Sequence, residues 1–159
     1  MSTRSHIEVK DWEPKIYKHS DGYPSGVLPV LIPFIRRFYQ ERGDDKEYAI
    51  AQIIREFARA EDKRRKERYE QLKDSNNDFD QKLAKSYKQP RILGWGVTNH
   101  YHIDVEYIYQ VDLEEGKLKV YETKFKKFWD EPSLDNTKKI GTVLLDDNNK
   151  KWKNEFNID

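Results

Sequence analysis

The sequence predicts an α+β domain: an antiparallel sheet of about five strands with two main helices packed on one face, in the order ββαα(α)βββ. Three observations point there. Segments near the start and through the second half alternate apolar and polar residues with the period of a strand. Two segments between them carry apolar residues at helical spacing. Four Trp, ten Tyr and seven Phe then place large apolar area at few positions, each ring burying roughly 150–250 Å². That suffices for one core in a chain that is 37% charged and 36% hydrophobic.

The elements follow in order. Residues 5–10 alternate as a strand with Ile7 and Val9 inward, and residues 15–19 read as a second strand. Residues 20–26, Ser-Asp-Gly-Tyr-Pro-Ser-Gly, are dense in turn formers. A helix is expected over 27–39 from Val27, Leu28, Leu31, Phe34, Ile35 and Phe38, with Ser25 as its N-cap. Pro29 fits only in a first turn, and Pro33 should kink this helix or delay its start. After Gly43, Asp44 with Glu47 resembles a capping box for a second helix, whose stripe is Ala49, Ile50, Ile53, Ile54 and Phe57. Beyond Ala60 the stripe fades into charge, where Glu61–Arg65 would be an i,i+4 pair. Residues 74–91 read as a polar excursion with a short helix around 81–87.

In the second half a strand is expected over 92–97, weakened by Gly94 and Gly96. A long strand is expected over 100–113. Tyr101, Ile103, Val105, Tyr107, Tyr109 and Val111 would face the core, and His100, His102, Asp104, Glu106 and Gln110 would face away. A hairpin at 114–117 leads into a strand over 118–123, then a loop or short helix over 124–137, and a final strand over 139–145. Residues 1–159 are read as a single domain with a charged helical excursion at about 59–91 and a polar tail at about 146–159, where Trp152 and Phe156 suggest docking.

Thirty basic and twenty-nine acidic side chains leave the chain near neutral, so bulk charge nominates neither nucleic acid nor membrane. The absence of cysteine excludes disulfides, a thiolate nucleophile and thiolate metal sites. No apolar run approaches the roughly 20 residues of a membrane helix, and the N-terminal residues show no apolar signal region. Cytoplasm, of a cell or of a virus-infected host cell, is the expected compartment.

Thr3-Arg4-Ser5-His6-Ile7, Tyr17-Lys18-His19-Ser20-Asp21-Gly22-Tyr23-Pro24 and Asp104-Val105-Glu106-Tyr107-Ile108-Tyr109 together resemble a group of small phage and prokaryotic proteins with no assigned activity. The His-x-Asp-Gly-Tyr-Pro element is the most specific of these. The resemblance covers roughly residues 3–58 and 94–123, and implies a small soluble accessory protein, of the kind a virus encodes, with no activity to carry over.

Three constellations carry chemistry. The strand–turn–helix at 17–28, with Arg4, Lys18, His19, Gly22, Tyr23, Ser25 and Gly26, would offer backbone N–H groups to an anion or nucleotide. Its spacing matches no nucleotide fingerprint, and the plainer alternative is a tight structural connection in which Gly22 takes a positive φ. His100, His102 and Asp104 at alternate positions of one strand would place two imidazoles and a carboxylate within reach of one metal ion. The alternative is a solvated strand face. Lys63, Arg64, Arg65, Lys66 and Arg68, with Tyr69 and Tyr87, would contact a phosphate backbone or an acidic protein, although interleaved acids make a solvated helix face the competing reading.

The leading functional expectation is therefore a non-enzymatic binding protein acting on a protein or nucleic-acid partner, without a resident cofactor. The alternative is a small-ligand or phosphate-ester enzyme, using a metal or nucleotide, with His19, Asp21, His102, Asp104 and Glu106 as candidate catalytic groups. An enzyme needs the histidine-bearing elements to converge on a concave pocket within bonding reach.

Overall fold

The computed structural model describes residues 2–88, 94–123, 132–147 and 150–158. The chain divides into two compact units, residues 1–54 with 94–159, and residues 55–93.

The first unit is built on a six-stranded sheet: β1 (Ser5–Val9), β2 (Lys15–Lys18), β3 (Trp95–Thr98), β4 (Tyr107–Asp112), β5 (Lys117–Glu122) and β6 (Lys138–Leu144). The order is β3-β2-β1-β4-β5-β6. It is mixed rather than wholly antiparallel, because β1 and β4 pair in parallel with Ile7 beside Tyr109. A parallel pair needs a long crossover, and everything from β2 to β3 supplies it. The parallel strands lie at the centre, where strands are covered on both faces, and all five residues of β1 are buried.

One sheet face is apolar. Ile7, Val9, Ile16, Tyr109, Val111, Leu118 and Val120 share it by register and are at most 1% exposed. The helix α1 (Pro24–Arg42) buries Val27, Leu28, Leu31, Ile32, Phe34, Ile35 and Phe38. Its attachment is visible at three points: the Tyr109 hydroxyl donates to Gly22 O at 2.7 Å, Tyr39 packs against Gly116, and Arg36 donates to Leu144 O. The helix α2 (Lys46–Leu72) begins in this unit with Ala49, Ile50 and Ile53 buried, and Lys46 donates to Glu114 across 2.7 Å.

Helix starts differ from expectation. Tyr23, not Ser25, is the N-cap of α1, with Pro24 in the first turn, where its missing N–H costs nothing. The helix runs through Pro29 and Pro33; both lie on its exposed side, where carbonyls left without an N–H donor face water. Lys46 opens α2 two residues after Asp44, and Asp45 is held by Arg42 at 2.5 Å. The long strand expected over 100–113 is shorter: residues 99–106 form an irregular loop and only Tyr107–Asp112 is strand.

The polar tail docks as expected. The helix α4 (Lys151–Glu155) buries Trp152, and Glu155 accepts the Thr142 N–H of β6 at 3.3 Å. Phe156 occupies the space that a side chain at Gly141 would need.

The second unit contains the rest of α2 and α3 (Asp78–Lys88). Asn77 caps α3 by accepting the Phe79 N–H at 2.8 Å. Arg65 is buried and donates to Ser86 O and Tyr87 O, so the expected Glu61–Arg65 pair is replaced by Glu61–Arg64 at 2.5 Å. The strand expected over 92–97 begins at Trp95, with residues 92 and 93 outside the described residues. Most of the loop expected over 124–137 is also outside them, and Leu134–Asn136 forms a 3-10 turn.

Candidate functional site

The register of β1 puts His6 and Glu8 on the face opposite Ile7 and Val9. On that face His6 lies beside Tyr17 of β2 and Ile108 of β4, and Glu8 beside Lys15 and Gln110. The 99–106 loop folds back over this part of the sheet and brings Tyr101 and His102 onto it. Its far end is fixed by Glu106, whose N–H donates to Arg4 O at 2.9 Å, and by Thr123, whose hydroxyl donates to Val105 O.

The four histidines therefore cluster here, three of them around one tyrosine. The Tyr17 ring lies 4.0 Å from His102, 5.5 Å from His6 and 6.2 Å from His19, centroid to centroid, and His100 lies 4.9 Å from His102. The histidine-bearing elements thus converge, from two strands and a loop. His6 sits at its base with no exposed surface. Its Nε2 accepts the backbone N–H of His102 at 3.0 Å and stands 3.3 Å from His102 Nδ1. An acceptor Nε2 puts the proton of a neutral ring on Nδ1, which is buried; a hydrogen bond of the ring to the Ile16 backbone works against the downward shift that follows. Burial first, then the charges His102, Lys15 and His100 can carry, push His6 down to about 3. Burial also lowers His102, aided by His100 and opposed by Asp104. At neutral pH the centre of the cluster is thus uncharged.

Beside it, the Tyr101 hydroxyl and Gln110 Nε2 both donate to Glu8, the latter at 2.8 Å, and Lys15 stands over the Tyr101 ring at 5.0 Å. Burial and the bond to Glu8 raise the Tyr101 phenol well above its ordinary value. Burial likewise raises Tyr17, with Asp104 adding to the shift and Arg4 opposing it.

The candidate residues separate accordingly. Asp104 is bound to Arg4 at 2.5 Å. Among the described residues no three His, Asp or Glu side chains are grouped to hold a metal ion, so the His100, His102 and Asp104 set is not assembled as the strand reading required. His102 lies instead against His6 and Tyr17, and His100 Nδ1 is 2.8 Å from Thr98 Oγ1. Glu106 is exposed.

In the 17–28 turn the N–H donors expected for an anion serve the fold. Gly22 donates to Thr3 O, Gly26 and Val27 donate to Tyr23 O, and Pro24 has none. A Cβ on Gly22 would stand 2.8 Å from the Arg4 and Ser5 backbone, so glycine is needed for close approach; the positive φ belongs to Asp21 at 51°. Lys18 donates to Ser20 O and stands 5.0 Å from the Trp95 ring. Tyr23 donates to Asp21 at 3.5 Å. Ser25 is exposed on the first turn of α1. The basic residues Lys63, Arg64, Lys66 and Arg68 are exposed on α2 while Arg65 is buried. Lys63 faces Glu67 at 4.0 Å, and Arg68 donates to Gln71.

The sequence reading did not single out Tyr17, Glu8, Gln110 or Tyr101 for the site. It also placed Tyr101 on one strand face with Tyr107 and Tyr109. Tyr121 sits beside Ile108 on the histidine face, whereas Tyr109 is on the apolar face. The available signal was the pair His6 and Glu8 in a strand otherwise fit for burial.

No protein-family model, no curated protein and no solved structure matches the chain.

Proposed function

We propose that the chain is a non-catalytic binding protein whose partner is another protein, and that the histidine face of the sheet with the 99–106 loop is the docking surface. One observation carries this. Three of the groups that could do acid–base work are already bonded within the fold: Glu8 to Tyr101 and Gln110, Asp104 to Arg4, and His6 to the His102 amide. What remains outward is aromatic. His19 and His100 are exposed, Tyr17 and His102 half-exposed, and Ile103 is 47% exposed. Arg4, Asp104, Glu106 and Lys15 form a rim of mixed charge. An aromatic centre depleted of charge, ringed by polar groups, is the anatomy of a protein interface. A nucleic-acid surface would instead show an excess of lysine and arginine. The resemblance to phage and prokaryotic accessory proteins fits a role through contact.

The test is a photo-reactive side chain at position 100, compared with one at position 66, each irradiated in cells expressing the chain. A discrete protein adduct at 100, abolished by Tyr17→Ala and missing at 66, supports the proposal. A nuclease-sensitive adduct would replace the protein by nucleic acid. No adduct at 100, together with turnover of a phosphate ester lost in His102→Ala, would restore the enzymatic alternative.

A further inference from the structure

The 99–106 loop is fastened to the sheet by a bond that only one protonation state of His6 can make. The His102 amide donates to His6 Nε2. If that nitrogen gains a proton, two donors point at each other and the acceptor is gone. A protonated ring there would also lie inside an array with no compensating anion in contact. From β2 it meets Tyr17, with Lys15 and His19 beyond; from the loop Tyr101, His102 and His100; from β4 Ile108 and Gln110; and along β1 Arg4 and Glu8. Of the carboxylates in the neighbourhood, Glu8 is bonded to Tyr101 and Gln110 and Asp104 to Arg4, while Glu106 is exposed at the far end of the loop.

We infer that the His6–His102 contact is an acid-sensitive latch: the 99–106 loop is held on the sheet at neutral pH and released in mild acid, dismantling the Tyr17–His102 surface. The latch itself is independent of any partner; its role in switching docking rests on the function proposed above. The mechanism is linkage. The open loop exposes His6 to water, where an imidazole titrates near 6.5, so opening takes up a proton that the closed form refuses. With the closed ring at about 3, the open population relative to the closed one rises about 25-fold between pH 7 and pH 5.

The experiment is amide hydrogen exchange of the whole chain at pH 7 and pH 5, corrected for the intrinsic pH dependence of exchange. Protection of the His102 amide is expected to fall about 25-fold while staying below that of Tyr109 and Val111 at both pH values. In His6→Gln, whose side-chain oxygen can accept the same bond without titrating, the His102 change should shrink to a few-fold at most; His19→Gln, on the rim of the cluster, should retain it. Equal protection of the His102 amide at the two pH values in the parent chain overturns the latch. So does an unchanged pH response in a folded His6→Gln. If His6→Gln does not fold, the parent-chain comparison decides alone. None of these readings requires a partner, so the latch and the docking surface fail separately.

Discussion

The two faces of β1 are both buried and are held by different physics. On one, Ile7 and Val9 are covered through apolar contact, which is non-directional and indifferent to pH. On the other, His6 and Glu8 are covered by a loop whose contacts are a chain of donors and acceptors: the His102 amide to His6, Tyr101 and Gln110 to Glu8. The first kind of burial tolerates any conditions that preserve the hydrophobic effect. The second holds only while each member keeps its protonation state. A central strand can therefore anchor a durable core and a conditional surface at once.

The largest expected effect breaks this contrast by acid. His6 is depressed in the folded chain, so the unfolded chain binds more protons between about pH 6.5 and 3 and stability falls as pH drops through that window. The loss is about 2 kcal/mol from pH 7 to pH 5 and on the order of 4–5 kcal/mol by pH 3, readable in urea titrations at each pH. Asp112 adds a separate loss below about pH 4: its burial favours the neutral acid, but the Glu115 amide, Lys119 and Lys10 together hold the carboxyl below its usual range. A flat profile from pH 7 to pH 5 would remove the contrast between the faces.

Next in size, Ile7→Ala on the apolar face should cost about 3 kcal/mol by urea unfolding, equally at pH 7 and pH 5. A cost that varied with pH would mean that the two faces are coupled through the strand. Smaller again, Tyr101→Phe leaves one oxygen of the buried Glu8 carboxylate without its donor. A loss of about 2 kcal/mol at pH 7 is expected, with increased exchange in the 99–106 loop and little change at Val111. The smallest effect belongs to the second unit: Lys63→Ala, at a side chain 80% exposed, should change stability by less than about 0.5 kcal/mol.

Most of the framework was legible because it depends on period and turn chemistry. The alternation around Ile7 and Val9, the stripe Leu28, Leu31, Ile35 and Phe38, and the hairpin at Gly116 each declare themselves locally. Trp152 and Phe156 marked the docked tail in the same way. What was not legible was set by distant partners. Nothing near β1 or β4 announces that they pair in parallel, since that follows from the crossover as a whole. Residues 100–106 alternate well enough for a strand, yet Glu106 bonds Arg4 and the preceding residues turn back instead. That misplacement hid the site: His100, His102 and Asp104 were drawn as one flat face, whereas the fold sends Asp104 to Arg4 and His102 to His6. The convergence of His6, His19 and His102 on Tyr17, with His100 against His102, is a property of register between two strands and a loop, and no local spacing encodes it.

The central claim is that a neutral, proton-refusing His6 holds the open face together. The most direct measurement is a titration of the His6 ring by ¹⁵N and ¹³C NMR of histidine-labelled protein, from pH 8 down to the acid transition. The account predicts a neutral ring protonated at Nδ1, with Nε2 bare, that takes up a proton only as the 99–106 loop opens or, with the loop closed, near pH 3. A ring that carries its proton on Nε2, or that titrates near 6.5 with the loop still closed, would contradict it.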